Sequence, residues 1–447
     1  MKAHTRSNSS PPRRHPGEAT RRRFFALVAA LALFVATAPG LSSAGTPVEP
    51  DTRADEVVLR VAAGSTIGDI HGTYGSSTIR ALPIDSTFLV APAPGQTVKA
   101  FLGAVEDDLR LVYAEPNFIV EASRHTSYAW GGFDPTPGST QDSAGAIGLP
   151  AAHQVSRGDG VVVAVIDTGV QLDHPELASV LSSNGWDFVD GDATPAEETG
   201  EVGNPGDHHG LVTGHGTHVA GVVHLTAPEA SIIPIRVLDP HGRGDIVAIA
   251  DAIVFAVENG ADVINLSLGV HTDTNLLADA ARTATRGGAL VTAATGNFGT
   301  MEKQSPAAAR CALGVAAVDA SGIHQSFSTY GSWVDFAAPG LDVFSTFPVD
   351  GYAFGTGTSV SAPFVAGEAA LVMSAAPDLG ARDVAMVMEM TAMDLKDLNP
   401  EVGGKLGAGL IDAGAAVALL QGQVPSSGGP LSGSCFSLDQ QPLDQLS

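Results

Sequence analysis

Val161-Val162-Val163-Ala164-Val165-Ile166-Asp167-Thr168-Gly169 is a continuous β-branched run that ends on a carboxylate and a glycine. A strand without polar alternation is covered on both faces, as in a parallel sheet packed between helices. Similar runs span Ile232 to Leu238, Ala261 to Leu268, Ala289 to Ala294 and Leu313 to Val318. Between and after them, helical apolar spacing recurs near 245–259, 274–287, 359–376 and 381–392. This βαβ rhythm predicts an α/β fold, a doubly wound and mostly parallel sheet. In such sheets, sites form beyond the carboxyl ends of the strands, which is where Asp167 stands.

Three further segments supply partners for that carboxylate. Gly214-His215-Gly216-Thr217-His218-Val219-Ala220-Gly221 places a histidine at the start of a small-residue helix. Gly355-Thr356-Gly357-Thr358-Ser359-Val360-Ser361-Ala362-Pro363 is a turn that delivers a serine to another helix start. Ala293-Ala294-Thr295-Gly296-Asn297-Phe298-Gly299 puts an amide just past a strand end. A serine hydroxyl needs an adjacent base to act as a nucleophile. Imidazole suits that task near neutral pH, and a carboxylate behind it fixes its tautomer. Helix-start N–H groups and the Asn297 amide supply donors for a developing oxyanion. Each residue alone is an ordinary cap or turn residue; the four together, each at a sheet edge, form a nucleophilic constellation.

These segments resemble those of the subtilisin-like serine proteases (subtilases), in particular the thermitase-like branch. The resemblance runs from about Gly148 to about Leu420. It includes His174-Pro175-Glu176-Leu177, Gly185-Trp186-Asp187-Phe188-Val189-Asp190, Val263-Ile264-Asn265-Leu266-Ser267-Leu268-Gly269 and Ala338-Pro339-Gly340. It implies an endopeptidase in which Ser359 is the nucleophile, His215 the base and then the acid, and Asp167 its orienter. Asn297 and the Ser359 N–H would form the oxyanion hole, and Ser267, Leu268 and Gly269 the edge that pairs with an extended polypeptide substrate. Asp167-Thr168-Gly169 is also the tripeptide of aspartic proteases, but that chemistry needs a second copy, and the chain has none.

The organisation before this region is layered. Residues 1–44 carry seven basic side chains and one acidic one, and Phe24 to Ala38 is an apolar stretch of 15 residues. That is short for a membrane span and reads as a signal peptide, with Thr20-Arg21-Arg22-Arg23-Phe24-Phe25 resembling a twin-arginine export signal. A secreted protein with no membrane association after signal cleavage is expected. Residues 45–126 read as a small α+β unit, with strands at 57–61 and 86–90, a helix over 97–109, and strand at 111–113 and 118–120. Val112-Tyr113-Ala114-Glu115-Pro116-Asn117-Phe118-Ile119-Val120 resembles the end of a subtilase inhibitory propeptide. That implies an intramolecular inhibitor released by cleavage within 121–130. Residues 127–145 read as an exposed linker opening the catalytic domain, 127–421, and 422–447 as a low-complexity tail.

The chain of 447 residues has a formal charge of −25, and dividing it at those boundaries is informative. Residues 1–44 carry +6, residues 45–126 −5 and residues 127–447 −26. The acidity excludes a nucleic-acid binder, and a monomer is expected. No cofactor is required for the chemistry. A structural calcium is a candidate at Asp187, Asp192 and Thr194, which match a thermitase-like calcium site, although Ala196 replaces one of its ligands. The longer family loop that wraps a tight calcium is deleted between His215 and Ala227, and Glu176 stands where an aspartate ligates that ion. Phe298 and residues 300–304 are expected in the wall for the residue before the scissile bond, with an apolar preference. Cys311 and Cys435 either pair after export or remain two thiols.

Overall fold

The computed structural model describes Met1 and residues 51–122, 126–136, 138, 141–198 and 212–422. The expected signal segment, most of the tail and Cys435 lie outside the described residues. Everything described from Asp51 onward belongs to one compact unit, Pro50–Ser447.

The first part is an α+β layer. β1 (Thr52–Val61), α1 (Ile67–Tyr74), β2 (Ser77–Ala81), β3 (Thr87–Ala91), α2 (Val98–Val105) and β4 (Leu111–Ala122) follow in order. The strands run antiparallel in the spatial order β4-β1-β3-β2, and both helices cover one face through Ile70, Phe101 and Val105. α1 starts on a capping box between Thr66 and Asp69, which satisfies two otherwise orphaned N–H groups. α2 ends at Val105, short of the predicted Leu109, whose side chain is 94% exposed.

The predicted linker is partly structured. β5 (Ser127–Gly132) is followed by α3 (Asp142–Ala146) and α4 (Leu149–Ala152). The strand forms because a partner edge is waiting for it, as described below, and not because its own sequence favours one.

The main body follows: β6 (Val162–Asp167), β7 (Trp186–Asp187), α5 (His215–Thr226), β8 (Ser231–Arg236), β9 (Arg243–Asp245), α6 (Ile246–Glu258), β10 (Val263–Leu266) and β11 (Leu268–Gly269). It continues with α7 (Asn275–Arg286), β12 (Leu290–Ala294), β13 (Leu313–Val318), β14 (Phe336–Pro339), β15 (Val343–Phe347) and β16 (Gly351–Thr356). It closes with α8 (Thr358–Ala375), α9 (Ala381–Thr391) and α10 (Ala413–Leu420). Among the described residues, seven strands form one parallel sheet in the order β14-β13-β12-β10-β6-β8-β7. Helices cover both faces: one core joins α5, α8, α9 and α10 to the sheet, the other α6 and α7. This is the doubly wound arrangement that the unbroken apolar runs predict.

Candidate active site

β6 ends on Asp167, and α5 begins on His215 across the sheet edge. His215 Nδ1 lies 2.6 Å from Asp167 Oδ1, which also accepts from the Thr168 amide at 2.7 Å. Both side chains are fully buried. The close approach depends on Gly216: a Cβ there would strike the Gly169 carbonyl and push α5 off the β6 turn. Burial pushes the His215 imidazole down, but the charge and hydrogen bond of Asp167, with the charge of Glu197, outweigh it. Its pKa therefore stands above the ordinary histidine value.

Ser359 sits in the first turn of α8. Pro363, four residues on, has no N–H to give the Ser359 carbonyl, and Ser267 Oγ donates to that carbonyl at 2.7 Å instead. Asn265 Nδ2 in turn donates to Ser267 Oγ at 3.0 Å. The Ser267 side chain thus braces the serine turn, while Leu268 and Gly269 offer the pairing edge. The amide of Asn297 is oriented by Thr358, whose N–H and Oγ1 donate to Asn297 Oδ1 at 2.8 and 2.9 Å. That leaves Asn297 Nδ2 aimed at the serine, where it donates to Thr126 Oγ1 at 3.4 Å.

Thr126 is the other occupant of this space. Its Oγ1 lies 2.8 Å from Ser359 Oγ, and His215 Nε2 is buried without a hydrogen-bond partner. The Asp–His half of the constellation is made, and the serine is engaged by the chain itself. On the amino side of Thr126, β4 enters between two edges: Leu268 pairs with Ala122 and Gly269 with Glu121, while Gly244 pairs with Val120 and Arg243 with Glu121. Once Thr126 leaves, the arrangement offers a buried hydroxyl, a base with a fixed tautomer, and an amide donor aimed at the same point.

One residue here carries no readable signal in the sequence. Glu197 is 8% exposed and accepts four hydrogen bonds. Its Oε1 takes Thr168 Oγ1 at 2.6 Å and the Gly214 amide at 2.8 Å. Its Oε2 takes the Thr217 amide at 2.9 Å and Thr217 Oγ1 at 2.7 Å. It caps α5 from outside the helix and ties that helix to the β6 turn. A glutamate in a loop 17 residues from the helix cap matches no local capping pattern. Of the residues expected in the wall before the scissile bond, Gln304 is 2% exposed and lies against Gly269 and Gly296, where a Cβ on either glycine would strike its amide. Phe298 meets His271 edge-on, at 3.7 Å between centroids.

Asp187, Asp192 and Thr194 do not fit a calcium ion as they stand. Asp187 Oδ2 accepts from Arg236 Nη1 at 2.8 Å, and its Oδ1 takes the amides of Val189 and Asp190 at 2.7 and 3.0 Å. The guanidinium also reaches Asp190 at 2.9 Å and Glu198 at 2.5 Å. Asp192 Oδ1 is taken by the Thr194 amide at 2.7 Å. Arg236, 2% exposed, is the cation of this loop, and a divalent ion at Asp187 would face its fixed charge.

Comparison with known proteins identifies the family. A model of the subtilase family, peptidase S8, matches residues 158–409. Thermitase from Thermoactinomyces vulgaris is 42% identical over 241 residues, 54% of this chain and 85% of thermitase. Subtilisin BL from Lederbergia lenta is 38% identical over 277 residues, 60% of this chain and 94% of that protein. Among solved structures, fervidolysin from Fervidobacterium pennivorans, a keratinolytic enzyme related to subtilisin, superposes with a TM-score of 0.68. It is 23% identical, and the match covers 86% of this chain and 63% of fervidolysin, a likeness of fold. With the family model spanning more than half its length, and thermitase among its relatives, the chain belongs to the subtilase family on its thermitase-like branch and is a serine endopeptidase.

Proposed function

We propose that the chain is the precursor of a secreted endopeptidase that cuts its own polypeptide. Ser359 attacks the carbonyl while His215 takes its proton at Nε2, and Asp167 holds Nδ1–H and stabilises the imidazolium. Asn297 Nδ2 and the Ser359 amide receive the oxyanion. His215 then returns the proton to the leaving amine, and water releases the acyl group by the same route. Residues 1–44 act as the export signal, residues 45–126 as the inhibitor, and the mature enzyme is a monomer acting on extended polypeptides. No helix among the described residues is long and apolar enough to cross a membrane.

The observation that carries this reading is the path of the chain through the cleft. β4 occupies the β9 and β11 edges up to Ala122, and Thr126 rests on Ser359. That narrows the self-cleavage expected within 121–130 to the bonds between Ala122 and Ser127. Docking is supported by Glu115, 5% exposed, which accepts from the Asn275 and Leu276 amides at 2.9 and 2.8 Å and so caps α7. The test is to express residues 45–447 as wild type and as Ser359→Ala and to sequence the new amino terminus. Wild type should release the first segment by a cut between 122 and 127, and the variant should stay whole. Equal processing of both would overturn the role of Ser359.

A further inference from the structure

Beyond Thr126 the chain lies along β16, with Ser127 opposite Thr356, Tyr128 opposite Gly355 and Trp130 opposite Ala353. Since Thr126 sits on Ser359, β16 is the strand that meets polypeptide on the leaving-group side of the scissile bond. Tyr128 turns its ring into the body there. The ring meets His218 edge-on at 5.1 Å, Phe347 at 5.3 Å and His215 at 6.4 Å between centroids. The space exists because position 355 is glycine: a Cβ would come within 2.6 Å of His218 Cε1 and 3.1 Å of Tyr128 Cε1. Burial drives the His218 imidazole down to about 3, so it faces the ring uncharged. The Tyr128 hydroxyl is buried at the bottom without a hydrogen-bond partner.

We propose that the slot between His215, His218, Phe347 and Gly355 is a recognition pocket for an aromatic side chain of the substrate, two residues beyond the one over Ser359, with Phe favoured over Tyr. The inference deepens the endopeptidase reading and rests on it. Antiparallel addition to β16 fixes which side chains face the body, since alternate residues along a strand share a face. An aromatic ring there gains an edge-to-face contact with the uncharged His218 ring and a tilted contact with Phe347, and removes apolar area from water. A hydroxyl at the same depth finds no partner, and an unpaired buried hydroxyl is unfavourable, so Phe outranks Tyr. Tyr128 is then the chain's own occupant, seated while the precursor is uncut.

The test uses the autoprocessed enzyme, with active sites counted by a fluorophosphonate. Internally quenched peptides share one cleavable bond, and each position after it is varied singly through Ala, Leu, Phe, Tyr and Asp. At one of these positions Phe should raise kcat/KM about tenfold over Ala, with Tyr between them and Asp lowest. Phe347→Ala should cut the Phe-to-Ala ratio to about twofold, and Phe347→Leu, which keeps an apolar wall, should leave it intermediate. A flat profile at every position after the bond, in enzyme whose sites titrate, would overturn the pocket while leaving the serine-protease reading intact. An aromatic preference indifferent to both Phe347 variants would overturn it as well. Failure to titrate or to cleave any peptide would overturn the reading beneath it.

Discussion

Glu197→Gln separates holding the histidine from merely holding the fold. The carboxylate takes two donors on each oxygen: Thr168 Oγ1 and the Gly214 amide on one, the Thr217 amide and Oγ1 on the other. A glutamine keeps one oxygen and presents an NH₂ group to the other pair of donors. The threonine hydroxyl can rotate to accept from it; the backbone N–H cannot. The change therefore removes one hydrogen bond to a charged group and leaves one buried amide facing a donor, for a total of about 3 kcal/mol. In a body of this size that lowers Tm by on the order of 5–10 °C. Gly214 and Thr217 flank His215, so the slackened helix start should misplace the imidazole and lower kcat by about 10²-fold, with KM little changed.

The charge adds a second readout. Glu197 helps raise the His215 pKa, so its loss lowers that pKa. The base then stays neutral to lower pH, and the acid limb of kcat/KM moves toward acid. The assay is kcat/KM per titrated active site across the pH range, with Tm measured in parallel. Glu197→Asp, which restores the charge without the reach, should return the acid limb but not the Tm. A Glu197→Gln enzyme with lowered Tm but wild-type kcat and an unmoved acid limb would refute the positioning role and leave only a cap.

Other perturbations follow from the same geometry. Asn297→Ala should lower kcat about 10²–10³-fold with a small change in KM, measured on one peptide substrate by steady-state kinetics. Arg236→Gln leaves Asp187, Asp190 and Glu198 without their cation and should cost about 3–5 kcal/mol in thermal or denaturant unfolding, part of it returned by added calcium. A variant as stable as wild type without calcium would refute Arg236 as the cation of that loop. Glu115→Gln removes the charge from the α7 cap, so inhibition after self-cleavage should weaken about tenfold. Activity should then emerge sooner in a time course of the full-length protein.

The parallel sheet was legible because its strands are buried on both faces and write unbroken apolar runs: β6 occupies 162–167 where the run spans 161–166. The four candidate site residues carry marks of a related kind: Asp167 and Asn297 stand at or just past strand ends, and His215 and Ser359 at helix starts. What stayed hidden depends on contacts far along the chain. All of β2 (Ser77–Ala81) is exposed, so it carries no alternation. Glu115-Pro116-Asn117 interrupts the apolar pattern of β4, yet the strand runs through, with Glu115 held by α7 and Asn117 by Glu56 at 2.7 Å. β5 contains Gly131 and Gly132 and reads as loop; it is a strand only because the β16 edge accepts it. Arg236 looks like an ordinary strand residue until the acidic loop folds over it.

The split of charge between the two parts bears on how the precursor would come apart. The first segment is itself acidic, yet it turns arginines toward the acidic body: Arg53 to Asp245 at 3.0 Å, Arg60 to Asp279 at 2.6 Å, and Arg80 to Asp251. Arg243 reaches back to Asp51 at 2.9 Å. Arg53, Arg80 and Arg243 are well exposed, and such pairs contribute little each and are screened by salt. The sheet pairing of β4 and the buried Glu115 cap therefore hold the segment, and the ion pairs set its register and rate of docking. None of these contacts lies beyond Ala122, so cutting the chain between Ala122 and Ser127 severs none of them. On the proposed reading, self-cleavage and relief of inhibition would be separate events: the first would free Ser359 from Thr126, and the second would wait until β4 leaves the β9 and β11 edges.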